Sequence, residues 1–196
     1  VRPATGSDSF QVVAKDKVQQ EHLFLISPAP AADAPLRYTA DVLAMILGDD
    51  TGSRLHWALV DPGLADGADV SFHDYEGTGS FFTSLTCAPE QTQKNLSIVR
   101  GLFRQVQKDG VTPQELAQAK SKVLSRVVRA SERPMGRMQA LGMAWTYLGK
   151  YRSMDDELKA FEAVTLKKIR QVLQEYPFEA MATLALGPLK KLRKPR

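Results

Sequence analysis

The sequence predicts an α+β fold, an antiparallel sheet covered on one face by helices. Three observations predict it. Strand-like runs gather at both ends of the chain, a hairpin lies at 70–87, and the long stretch after it is helical in period. Strands grouped apart from a run of helices argue for this class. The composition, 43% hydrophobic and 24% charged over 196 residues, suits one domain with a true core, or one of two similar halves of something larger.

In chain order, 10–14 (FQVVA) reads as a short strand and 20–27 (QEHLFLIS) as a second. Leu23 to Ile26 leave no polar position, so both faces of that strand are expected to be covered. Pro28, Pro30 and Pro35 read as a loop. A helix follows at 35–47; Val42, Leu43, Met45 and Ile46 make it apolar nearly all round, which predicts burial.

Gly52-Ser53 supplies a joint and an N-cap, SRLHWALVD two helical turns, and Pro62-Gly63 a stop. The runs 70–75 and 81–87 flank Glu76-Gly77-Thr78-Gly79, a hairpin signal. Leu96, Val99, Phe103 and Val106 mark one face of a helix at 90–108. Thr112-Pro113-Gln114-Glu115 opens the next with a capping box. A helix at 135–148 is expected to turn Met138, Leu141, Trp145 and Leu148 inward. A short amphipathic helix at 155–163 comes next, then a last helix capped by Thr165, and 179–186 (EAMATLAL) reads as a closing strand. Residues 1–9 read as a linker, 10–188 as a single domain and 189–196 as a basic tail.

The net charge of +4 is mild, and much of it sits at Lys190, Lys191, Arg193, Lys194 and Arg196. No aromatic residue interleaves those charges, so no stacking surface for nucleic acid is expected, and the tail reads as solvated. A single cysteine excludes an internal disulfide framework and a cysteine-rich zinc site. Cys87 alternates with Phe81, Thr83 and Leu85, which predicts a buried thiol. No apolar run reaches 18 residues, so no membrane span is expected. VRPATGSDSF has no signal-peptide core, and the chain reads as a fragment whose N-terminal part lies elsewhere.

The three histidines, His22, His56 and His73, form neither H-x-x-E-H nor H-E-x-x-H. His73 and Glu76 would face opposite ways on a strand, so they make no ligand pair. Gly77-Thr78-Gly79 has no helix N-terminus behind it and cradles no phosphate. No serine stands in a G-x-S-x-G context. No metal ligand set and no catalytic constellation can be assembled from this chain.

A buried helix ending in Gly, then Ser53-Arg54-Leu55, then Leu59-Val60-Asp61-Pro62-Gly63-Leu64-Ala65-Asp66, then a strand pair, resembles the pitrilysin/insulinase family of zinc metallopeptidases. The family segment reads S-R-L-x-x-x-L-R-E-K-G-L-A-Y; Ser53, Arg54, Leu55, Leu59, Gly63, Leu64 and Ala65 stand in register with it. Thr112, Glu115, Leu116, Ala119 and Lys120 are similar to its T-x-x-E-L-x-x-A-K helix start. The resemblance spans Phe10 to Pro188.

It implies the processing-peptidase-like (LuxS-type) metallohydrolase fold, in which two homologous α+β domains close like a clamshell over a peptide substrate. Zinc, H-x-x-E-H and a distal Glu belong to the N-terminal domain. This chain then corresponds to the C-terminal, non-catalytic one. Its partners would be that N-terminal domain or a partner subunit, with a dimer possible, and relatives of this kind suggest a periplasmic or secreted protein. Active relatives supply an Arg and a Tyr from the motif; the matching positions here are Val60 and Asp66, which cannot donate as those side chains do. Ser53, Arg54, Leu55 and Gly63 are expected to be structural or interfacial, with Arg54 paired to a carboxylate. The alternative implication is an inactive structural or assembly subunit resembling the core proteins of respiratory complexes.

Overall fold

The computed structural model describes residues 8–194. Five strands, β1 (Phe10–Ala14), β2 (Glu21–Ala29), β3 (Gly67–Tyr75), β4 (Thr78–Cys87) and β5 (Ala182–Gly187), form one sheet in the order β1-β5-β2-β4-β3. Between them run α1 (Arg37–Gly48), a π-helix (His56–Val60), a 3-10 turn (Pro89–Gln91), α2 (Thr92–Asp109), α3 (Pro113–Ser131), α4 (Pro134–Leu148), α5 (Met154–Glu162) and α6 (Leu166–Glu175). The class is the expected α+β. The sheet is mixed rather than wholly antiparallel, because β1 runs parallel to β5 from Phe10↔Thr183 to Ala14↔Gly187. Most of the chain separates those two strands, so no tight turn dictates their relative direction.

Period-2 burial sets the core. Leu23 and Leu25 of β2, Phe81, Leu85 and Cys87 of β4, Val70 of β3 and Ala185 of β5 point to one face. There they meet α1 (Val42, Leu43, Leu47), α2 (Leu96, Val99, Phe103) and α6 (Ile169, Val172). Helices cover only that face. Ile26 is therefore 44% exposed, and β2 is not enclosed on both sides as its apolar run suggests. β2 also extends through Pro28, which the sequence assigns to a loop. Pro28 pairs only with Ser80 of β4, beyond the reach of β5, so its missing N–H breaks no ladder on that side.

Helix starts follow the local chemistry. Thr112 accepts from the Glu115 amide, while the Glu115 carboxylate accepts from the Thr112 amide, so the capping box is complete. Ser153 and Asp156 do the same for α5, and Thr165 caps α6. The end of α1 crosses β3 so closely that a Cβ on Gly48 would lie 1.9 Å from the Val70 amide nitrogen.

The largest departure is α4. Met138, Leu141, Trp145 and Leu148 do not face a core; no residue of this helix is buried, and Met138 and Trp145 are 60% and 66% exposed. Its apolar residues surround the axis instead of forming one stripe, so helical spacing alone selects no inward face. No helix among the described residues is long and apolar enough to cross a membrane.

Candidate functional site

The segment between α1 and β3 carries the motif residues, and each has a defined mechanical task. Ser53 is buried; its Oγ donates to the Asp49 carbonyl (2.6 Å) and accepts from the His56 amide (3.2 Å), capping the helical turns that follow. Those turns are wound as a π-helix: the Asp61 amide reaches the His56 carbonyl five residues back at 2.9 Å. Single π-turns concentrate at functional places. Leu55 and Leu59 are its buried anchors. Gly63 has φ of +69°, a left-handed value that closes the turn after Pro62, and its amide returns to the Val60 carbonyl at 3.0 Å.

Arg54 leaves this segment for α3. Its Nε and Nη2 donate to the two oxygens of Glu115 at 2.7 and 3.0 Å, and Nη2 also donates to the Gly110 carbonyl at 3.0 Å. Burial disfavours ionised Glu115, but hydrogen bonds from Arg54 and Thr112 outweigh it and hold the carboxyl below its usual range. The two motifs behind the family resemblance thus meet in one carboxylate. Lys122 adds a second strap from α3, pairing with Asp49 and the Thr51 carbonyl. The strap leaves Trp57 outside, 61% exposed beside Arg54, Gln114 and Gln118.

Val60 packs partly buried against the core. Asp66 is exposed at the start of β3; its amide donates to the Thr86 carbonyl (2.9 Å) and its carboxylate accepts from Gln20 Nε2 (2.9 Å). A valine and an acceptor held by Gln20 offer no donor to a developing oxyanion.

Below this end of the sheet is a buried polar group of side chains. Glu21 is fully buried, receives the Leu189 amide at 3.2 Å, and leaves Oε1 unpartnered among the described residues. Burial pushes its carboxyl up, against smaller opposing effects of the Leu189 amide and His22. Cys87 lies opposite it in the ladder, 3.6 Å from Thr92 Oγ1, and burial pushes that thiol up as well. Such a thiol is a poor nucleophile.

The histidines are dispersed. His22 contacts Thr86 Oγ1 and His73 contacts Ser71 Oγ, both on the open sheet face, while His56 stacks edge-on against Trp57. Among the described residues no three His, Cys, Asp or Glu side chains could together hold a metal ion.

Arg54 pairs with a carboxylate as expected, but spacing could not say which one, since Glu115 lies 61 positions away. What escaped the reading of the sequence is the exposure of α4, whose Met-rich, faceless pattern was itself the available signal. Met135, Met138, Met143 and Trp145 stand exposed along it, and the open sheet face presents Phe24, Ile26, Phe82 and Leu184.

The family described as the peptidase M16 inactive domain matches residues 1–123. This chain belongs to that family. An uncharacterized zinc protease of Mycobacterium tuberculosis is 26% identical over 184 residues, 93% of this chain and 42% of the relative. The uncharacterized zinc protease YmxG of Bacillus subtilis is 23% identical over 179 residues, covering 91% and 44%. The M16 inactive domain thus spans less than half the length of the curated relatives it matches. Among solved structures, a peptidase M16 inactive domain from Pseudomonas fluorescens superposes with a TM-score of 0.83 at 19% identity, over 99% of this chain and 47% of that one. A chain of the Inz-5-bound complex III2 from Candida albicans gives 0.85 at 12% identity, over 97% and 48%. These likenesses establish the fold.

Proposed function

We propose that this M16 inactive domain is the non-catalytic C-terminal half of a two-domain, zinc-metallopeptidase-like protein. It forms one wall of a clamshell peptide chamber and docks against a homologous N-terminal half or a partner subunit. Zinc and the general base belong, on the family resemblance, to that other half. The same resemblance supports a periplasmic or secreted location.

The observation that carries the reading is α4. A helix with no buried side chain and exposed Met135, Met138 and Trp145 is costly in water and marks a surface that other chain covers. The relatives, more than twice as long as their matched region, contain enough additional chain to do so. The uncovered apolar patch of Phe24, Ile26 and Phe82 on the sheet is a second surface of this kind.

A second reading is favoured by Val60 and Asp66: a peptidase fold kept for assembly after losing its chemistry. Zinc content and peptide cleavage of the full-length protein, with and without a partner subunit, separate the two. Zinc with cleavage, alone or on mixing, supports the peptidase chamber; no zinc and no cleavage in any combination supports the assembly role. Hydrogen exchange of α4 tests the interface in either case. If α4 exchanges as fast in the full-length protein as in the 196-residue chain, the docking assignment is wrong.

A further inference from the structure

α4 has two different sides. Ala140, Ala144 and Leu148 lie toward Val127 and Ala130 of α3, around one shared cavity. Met135, Met138, Leu141 and Trp145 follow at steps of three and four on the other side, and all but Leu141 are exposed. Gly142 falls on that outer side between Met138 and Trp145, and a Cβ built on it would touch nothing. The side turned away from this domain is apolar along its middle.

Charge is confined to the two ends. From Met138 to Gly149 no residue carries a formal charge. Arg129, Arg133 and Arg137 stand at one end and Lys150 and Arg152 at the other, against a single acidic residue in this stretch, Glu132. Arg152 faces Glu157 at 3.9 Å, while Arg137 donates only to neutral oxygens, Tyr151 Oη at 3.0 Å and the Arg152 carbonyl at 3.4 Å. Arg129, Arg133 and Lys150 are exposed, and their side chains have no partner among the described residues.

This pattern separates three occupants. A membrane-surface helix carries a charged face along its length, which α4 does not. A second copy of α4 would set cations against cations in either direction, since both ends are basic. An apolar centre with a charged rim is the anatomy of a protein interface, where Met, Trp and Arg are enriched. We infer that α4 docks on an acidic protein surface: an apolar socket for Met138 and Trp145, with carboxylates near Arg133 and Lys150, about 25 Å apart at the helical rise. The inference rests on the docking reading above and supplies the chemistry of the surface that covers α4.

Peroxide oxidation of Met135 and Met138, read by mass spectrometry, tests it in the assembled full-length protein. Both should oxidise about tenfold more slowly than in the urea-unfolded protein, and Arg133→Glu with Lys150→Glu should remove most of that protection. Arg133→Lys with Lys150→Arg keeps both charges and should leave it intact. Unfolding curves show whether the charge-reversed variant folds; if it does not, Lys150→Glu alone decides. Oxidation as fast as in the unfolded protein overturns the docking reading and this inference together. Slow oxidation that the reversed charges leave unchanged overturns the acidic surface alone. So does protection that appears only with vesicles of phosphatidylserine and phosphatidylcholine, or protection that is lost on dilution along with a dimer of like chains.

Discussion

Arg54 grips both oxygens of Glu115, at 2.7 and 3.0 Å, and the same carboxylate closes the capping box of α3 on Thr112. One side chain therefore serves helix initiation and tertiary attachment together. Removing Arg54 leaves Glu115 half-buried without its charged partner. Arg54→Ala is expected to lower unfolding stability by about 1–3 kcal/mol in urea titrations. Arg54→Lys should recover only part of this, since an ammonium cannot make the planar two-pronged contact. A full recovery by lysine would count against the bidentate geometry as the source.

Glu115 also sets a pH dependence. Its carboxyl is held below the usual range, so the folded state binds its proton less readily than the unfolded chain does. The contribution is present above the ordinary glutamate range and is lost as pH falls through the folded value. Stability of the parent protein relative to Glu115→Gln should therefore shrink on acidification. An unchanged gap between pH 7 and acid would remove Glu115 from the account.

Glu21 has the opposite sign. Burial raises its carboxyl, so the folded state holds the proton more tightly and stability declines as pH rises from the unfolded value toward the folded one. Glu21→Gln removes that slope: the variant should gain stability on the parent as pH rises past the ordinary carboxylate range. Thermal unfolding midpoints across a pH series measure it. A parallel pair of curves refutes it.

Gly48 tests the seam between α1 and β3. A methyl group there meets the Val70 backbone, which cannot rotate aside as a side chain can. Gly48→Ala is expected to cost about 1–3 kcal/mol or more, despite the better helix propensity of alanine. A stabilised variant would mean that α1 and β3 are further apart.

Met138 and Trp145 should behave as surface residues in the isolated chain and as interface residues in the full-length protein. Met138→Gln and Trp145→Gln are expected to change the stability of the 196-residue chain by no more than about 0.5 kcal/mol. The same substitutions in the full-length protein should destabilise it or loosen its assembly, read by size-exclusion chromatography and unfolding curves.

Much of this protein was legible in its residues. β1 was readable to the residue, because FQVVA between polar turns has no competing assignment. The Thr112–Glu115 box announced α3, since capping is a contact over three positions and needs no tertiary partner. The alternation of Phe81, Thr83, Leu85 and Cys87 gave their shared buried face, and the S-R-L and T-x-x-E-L motifs gave the family. Local periodicity and capping are determined by neighbours in the chain, and these the sequence determined by itself. Only the tertiary structure decided which face of an apolar element is covered, and by what. Ile26 and Trp145 are as apolar as Leu25 and Leu43, yet the first pair is exposed and the second buried. The parallel pairing of β1 with β5 and the meeting of Arg54 with Glu115 were decided in the same way. Burial depends on what lies across the gap, and no described residue of this chain covers Met138, Trp145 or Ile26.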